Sequence, residues 1–366
     1  MSMPPPENTH GLTSQLALRY LRGALDTSHP NDQPYVMNEV ENRVIRRVKN
    51  RTMAQATLIG ALGVLIFYAS PYLWPTFFAD TLLTVADTTY ALPLVRALFG
   101  VLIVYLEINL LLHLNLEAVR TIMAVCQFPR LYDAQYERHL RALSDAAMDK
   151  ENQGYLHFGL EPYLGLPQWG LTLFFVATKL KAVATTIMLR LLLRASRVGL
   201  ESVADMIAMP VLALWNAWAT WSIIHEAQVR VMAPHTIREF VDELHEEWHQ
   251  NELFCQLIPE ALQFVAIPKR QYNYAHLVFT ETLMDRFGLG VIRPTGGFLD
   301  KLAQAPADVR QGLERLIIFG ALIDGRLSWF ERRRLRQLRA KGWLTHTLSG
   351  IESIGRTFNR GEGLWV

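Results

Sequence analysis

AQATLIGALGVLIFYASPYLWPTFFA, residues 54–79, carries no charged side chain across 26 positions. At 1.5 Å per residue such a helix crosses a hydrocarbon core of about 30 Å with some tilt. A second apolar run, ALPLVRALFGVLIVYLEINLLLHL, follows at 91–114, with Arg96 near its start and Glu107 inside it. Between them lies FADTLLTVADTTY, which is short, acidic and read as a loop. Tyr72, Trp74 and Tyr90 sit where interfacial aromatic residues would. The two runs predict a transmembrane hairpin.

Orientation comes from the flanking charge. ENRVIRRVKNRT places Arg43, Arg46, Arg47, Lys49 and Arg51 just before the first run, and the loop after it has no basic residue. The positive-inside bias puts the N-terminal side in the cytoplasm. The opening MSMPPPENTHGLTSQL is polar and proline-rich, unlike a cleavable secretory signal.

Composition agrees with a membrane protein. Of 366 residues 51% are hydrophobic and 19% charged, against about 25% in soluble domains; mean hydropathy is +0.12. A net charge of +2 gives no global field to recruit nucleic acid. Cys126 and Cys255 stand in no metal-like spacing and suit a reducing compartment.

A weaker pair of apolar runs covers 169–194 and 202–224. Their charges are patterned: Lys179, Arg190 and Arg194 share one helical stripe with Thr172 and Thr186, and Lys181 lies nearby. Glu201, Asp205 and Asn216 share a stripe of the fourth run. Facing stripes of opposite sign inside a bundle are how membrane segments hold ionisable groups. An amphipathic hairpin at the interface is the alternative. The expected fold is an all-α membrane protein with four spans in two hairpins. Its segments are a cytoplasmic N-terminal stretch (1–52), hairpin one (53–115), a cytoplasmic helical connection (116–168), hairpin two (169–224) and a cytoplasmic helical domain (225–366), with both termini inside. No run alternates with period two, so no sheet is expected.

Inside the second span, Glu107 is the leading candidate for function, with Asn109 and His113 on one face beyond it; an intramembrane carboxyl can relay protons or hold a cation. The plainer account is that Glu107 pairs with Lys179 or Lys181 and fixes the bundle.

In PHTIREFVDELHEEWHQNELF, residues 234–254, His245, Glu246 and His249 spell H-E-x-x-H, two histidines one helical turn apart with a carboxylate beside them. Glu281, in ETLMD, is the candidate third ligand, and together these stretches resemble membrane-embedded zinc endopeptidases. Against a zinc centre, Asp242, Glu243 and Glu247 make the histidine side polar. The pattern is therefore read as a solvated helix with i,i+4 contacts rather than a zinc centre.

LIIFGALIDGRLSWFERRRL (316–335) carries D-G-x-L-S-x-x-E. Gly325 suits the positive-φ stop of one helix, and Ser328 with Glu331 forms a capping box that starts the next. Asp324 and Glu331 have EF-hand-like spacing, but Gly320 and Leu322 fall at the first ligand positions, so no calcium is expected. This stretch, within 307–341, resembles the helix-loop-helix of tellurite-resistance-type (TerB-like) cytoplasmic domains. Arg332, Arg333, Arg334 and Arg336 beyond it could meet an anionic lipid surface or an acidic partner, although a solvated helix face is the plainer account.

YLGLPQWGLTLFF (163–175), WNAWATWSIIHEAQVRVMAP (215–234) and the D-G-x-L-S-x-x-E end together resemble an uncharacterised family of bacterial multi-pass membrane proteins. That resemblance implies the bacterial inner membrane and no activity. No phosphate-binding loop or nucleophile elbow occurs, and no cofactor is expected. The chain reads as a non-enzymatic anchor or subunit contacting lipid and either a second copy or a partner protein, with an ion channel or proton-coupled transporter as the alternative.

Overall fold

The computed structural model describes residues 12–23, 37–79, 81–85, 88–92, 94–129, 135–148, 201–269, 273–290 and 297–366. The third apolar run, with Lys179, Lys181 and Arg190, lies outside them, as does the side chain of Asp205. The chain begins with α1 (Leu12–Arg22) and α2 (Glu39–Leu73), then β1 (Thr81–Val85), β2 (Thr88–Leu92) and α3 (Leu94–Cys126). After α4 (Tyr136–Ala147) comes α5 (Glu201–Trp248), then α6 (Glu252–Lys269), α7 (Tyr274–Arg286), α8 (Phe298–Gln304), α9 (Ala307–Leu322), α10 (Trp329–Ala340) and α11 (Leu348–Phe358).

The body is helical. Among the described residues the one departure lies between α2 and α3, where β1 and β2 pair antiparallel with Thr81 opposite Leu92 and Val85 opposite Thr88. The expectation of no sheet fails there: Thr and Val favour extended backbone, and the two five-residue strands are too short to show a period.

Two helices, α2 and α3, are long and apolar enough to cross a membrane. Only 28% and 18% of their apolar windows are buried, which is the reverse of a core helix in a water-soluble domain. Their large side chains point outward: Leu58, Leu62, Leu65 and Ile66 from α2, and Leu98, Val101, Leu102, Tyr105 and Leu106 from α3 are all exposed. What they bury is small. The inner face of α2 runs Thr52, Ala56, Gly60, Gly63, a small-xxx-small stripe that lets helix backbones approach closely.

That stripe receives α5, antiparallel to it. A Cβ on Gly60 would stand 2.6 Å from Asn216 Nδ2 and 3.2 Å from the Ala213 Cα, so a larger side chain cannot fit without parting the helices. From α5 the inward residues Ala213, Asn216, Thr220, Ile224 and Ala227 recur at three- and four-residue steps, the spacing of one helical face. α3 completes the bundle through Ile103, Val104 and Glu107.

α5 is 48 residues long, about 72 Å at helical rise. The expected boundary at 224/225 does not break it, nor does Pro234, where the sequence suggests a new helix. A proline removes one hydrogen bond, yet α5 runs on through both Pro210 and Pro234. The second half of α5 enters a core in which Phe240 stacks on Phe319 with ring centroids 3.9 Å apart and Phe279 tilts against both. The buried end of α3 (Ala118, Val119, Ile122, Met123) and α4 (Leu140, Leu143) belong to this same core. The basic start of α2, the end of α3 and the second half of α5 therefore share one end of the bundle, where the helical domain sits.

The small stripe predicts an asymmetry. Gly60→Leu forces the α2–α5 contact open and lowers stability by about 1–3 kcal/mol, whereas Leu58→Ala on the outer face stays within about 0.5 kcal/mol. Thermal unfolding in mild detergent, followed by tryptophan fluorescence, checks this; equal shifts for the two variants would contradict the inward placement of Gly60.

Candidate functional site

At the centre of the three-helix contact a carboxyl is enclosed by the bundle. Glu107 of α3 and Asn216 of α5 are each only 4% exposed, and Asn216 Nδ2 donates to Glu107 Oε1 at 2.8 Å. Both glycines of α2 make room for the pair: a Cβ on Gly63 would come within 3.2 Å of Glu107 Oε2, and Gly60 faces the Asn216 amide. An apolar environment penalises an unmatched carboxyl by several kcal/mol, so the amide donor and the absence of side chains opposite act together. Such a carboxyl can hold or pass a proton or coordinate a small cation.

Asn109 and His113 do not join it. Two residues turn a helix by 200°, so Asn109 lies on the exposed side of α3, its amide returned to the Tyr105 carbonyl at 2.7 Å. His113 is exposed as well, with its ring 6.2 Å from that of Tyr20. Deeper toward the helical domain Asn115 is buried, and its Oδ1 has no hydrogen-bond donor among the described residues.

A second cluster stands at the base of the bundle, where α2, α5 and the loop after α9 meet. Trp221 stacks on His225, their planes 3° apart. Lys49 Nζ lies 4.7 Å from the Trp221 ring centre and Arg326 Cζ 4.9 Å from it. Burial, with the charge of Arg326, lowers Lys49 to about 8. Burial, then Arg326 and Lys49, push His225 down to about 3, so the imidazole is neutral at pH 7.

The loop that supplies Arg326 is the D-G-x-L-S-x-x-E segment. Gly325 has φ +70°, and a Cβ there would meet Asn359 Oδ1 at 2.4 Å and His225 Nε2 at 3.0 Å; only glycine satisfies both the dihedral and the space. Arg326 N donates to Asp324 Oδ1 at 3.1 Å, and its guanidinium donates to Ser222 Oγ at 3.0 Å. Asn359 Nδ2 donates to the Gly325 carbonyl. Ser328 and Glu331 cap α10 reciprocally. Asp324, Gly325, Ser328 and Glu331 thus form a corner that fastens the helical domain to α5.

The H-E-x-x-H residues are on the second half of α5, but among the described residues they form no cluster of three metal-capable side chains. The ring of His245 stacks on that of His249 at 4.9 Å, and Glu246 is exposed. Glu281 is engaged by Arg138, and Glu247 by Arg315 at 2.9 Å. No group of three or more metal-capable side chains occurs among the described residues.

The arginines after Glu331 also depart from the expected uniform basic face. Arg332 pairs with Glu352 at 3.2 Å, Arg334 lies 3.9 Å over Phe264 and Arg333 lies 5.7 Å from the Trp329 ring. A helix that packs on two sides turns part of any run of four basic residues inward. Arg336 remains exposed.

Sequence reasoning does not pair Asn216 with Glu107, nor does it bring Trp221 together with Lys49, His225 and Arg326. The signal for the first was present: Thr52, Ala56 and Gly60 at four-residue steps announce a close helix contact. Comparison of the chain with known protein families, characterised proteins and solved structures finds no match.

Two outcomes follow from this geometry. A double-mutant cycle on Glu107→Ala and Asn216→Ala in detergent yields a coupling of about 0.5–2 kcal/mol; additivity would mean that the two side chains do not interact. For His225 the folded value lies below the unfolded 6.5, so the unfolded state binds the proton first. Its stabilisation is therefore complete above pH 6.5 and is lost as pH falls toward about 3, on the order of 1–2 kcal/mol at pH 5. Unfolding midpoints measured from pH 7 to 5 should fall for the native chain and stay flatter for His225→Phe; parallel curves would remove His225 from this role.

Proposed function

We propose that this protein is a non-enzymatic, multi-pass membrane anchor whose helical domain, held at the cytoplasmic face, assembles with a partner or with further copies of the chain. The supporting observation is the continuity of α5. One helix contributes Asn216 to the contact among the apolar helices and Phe240 to the core of the helical domain, so the domain is fixed rigidly rather than by a tether. On this reading α2, α3, the first half of α5 and residues 169–194 cross the membrane as two hairpins. Arg43, Arg46, Arg47 and Arg51 put the domain end of the bundle on the inner side. The D-G-x-L-S-x-x-E corner then carries the likeness to tellurite-resistance-type domains, and a bacterial inner membrane is its setting.

A second reading draws support from the Glu107–Asn216 pair: a carboxyl enclosed between helices is the group a proton or cation pathway would use. The catalytic reading has the weakest support, because Glu281 is engaged by Arg138 and no cluster of three metal-capable side chains occurs among the described residues.

Purification of the full chain in mild detergent separates these. An anchor is recovered as a defined oligomer or with a stoichiometric partner by light scattering and mass spectrometry, and a lone monodisperse monomer would count against it. Liposomes containing the chain test the alternative: proton or cation flux that falls at least tenfold in Glu107→Gln would favour transport, and unchanged background permeability leaves the anchor reading in place.

A further inference from the structure

The outer face of α2 combines two surfaces that a single kind of molecule can satisfy. Arg43, Arg46, Arg47, Asn50 and Arg51 are all exposed and line one open concavity of 510 Å³. Among the described residues these four arginines have no carboxylate partner, although neighbouring elements are rich in ion pairs. At 100° per residue Arg43, Arg47 and Arg51 fall in the same stripe, about 100° wide, as Leu58, Leu62 and Leu65. That stripe lies opposite the Thr52, Ala56, Gly60 line that α5 covers. The basic turns lead directly into the exposed apolar turns within one continuous helix.

We infer that this face is a binding site for an acidic phospholipid, its phosphate held by Arg47 and Arg51 with Arg43 and Arg46 beyond them, and its acyl chain laid along Leu58, Leu62 and Leu65. The inference rests on the membrane-spanning reading. The arginine fork matches a phosphate in two-point contact, and juxtamembrane basic residues add about one kcal/mol each toward an anionic surface. Apolar contact in register with the cations distinguishes a lipid from free phosphate, which would use the arginines alone. An acidic peptide would leave the leucines unmatched. The site gives the anchor a preferred lipid rather than a generic solvent.

Native mass spectrometry of the full chain in mild detergent tests the assignment, with dioleoylphosphatidylglycerol and dioleoylphosphatidylcholine as probes at equal concentration. The expected result is retention of the glycerol lipid over the choline lipid, falling on the order of a hundredfold in the triple variant Arg43→Gln, Arg47→Gln, Arg51→Gln, while the Arg→Lys triple variant, which keeps the charge but loses the fork, falls between the two. Equal retention of the two lipids by the native chain, or an unchanged preference in the Gln variant, overturns the site. So does displacement of the lipid by equimolar inorganic phosphate or by polyglutamate. A parallel alkaline wash of membranes separates this failure from a deeper one. A native chain that stays in the pellet but shows no lipid preference defeats the site alone, and a chain released to the supernatant defeats the spanning reading beneath it.

Discussion

Everything in this molecule depends on how α2 meets α5. The contact places small residues inward and large apolar ones outward, the opposite of a domain built to hide hydrophobic area from water. Thr52, Ala56, Gly60 and Gly63 bring two backbones close enough for side-chain amides and carboxyls to meet, and close dispersion contact replaces the hydrophobic effect as the cohesive force. On the membrane-spanning reading, a surrounding medium as apolar as Leu58, Leu62 and Leu98 makes that exchange favourable. The Glu107–Asn216 hydrogen bond follows from the same constraint, because a polar group inside such a bundle must find its partner there.

From this contact the rest is carried by rigidity. α5 transmits the position of the bundle into the helical core, and Lys49, Trp221, His225 and Arg326 form the joint where the two regions meet. Two cations share one indole, and a neutral imidazole lies beneath it. Burial favours the uncharged states of Lys49 and His225, so Lys49 loses its proton more readily, and His225 gains one less readily, than exposed groups would. The glycine at 325 and the bonds from Asn359 fix the loop that brings Arg326 into place. On the anchor reading, the orientation of the domain relative to the bilayer is set by this joint.

Much of the helical layout was legible in the sequence, and the reasons are specific. An uncharged run at 54–79 leaves little choice but a long helix, and Ser328 with Glu331 encodes a helix start that the hydrogen bonds display. Local signals of this kind do not depend on distant partners. What sequence could not show was pairing: Asn216 lies 109 residues from Glu107, and its choice over Asn109 is decided by which face α3 turns inward. The same limit explains Arg332 and Arg334, whose partners Glu352 and Phe264 belong to other helices. Prolines were a poorer guide, since Pro210 and Pro234 both lie within α5; each punctuates a chain only where nothing else holds it. The strands at 81–92 are short enough that a two-residue period leaves almost no trace.

The outward apolar face is the central claim, and a nitroxide at residue 62 reports on it directly. With Cys126 and Cys255 replaced by alanine and Leu62→Cys spin-labelled in the full chain, collision rates in liposomes can be compared for oxygen, which concentrates in lipid, and a water-soluble nickel chelate. Leu62 in contact with acyl chains gives a high oxygen rate and almost no nickel relaxation, in contrast to a label at exposed Glu246→Cys. Nickel relaxation at 62 as strong as at 246 would place α2 in water and contradict the account.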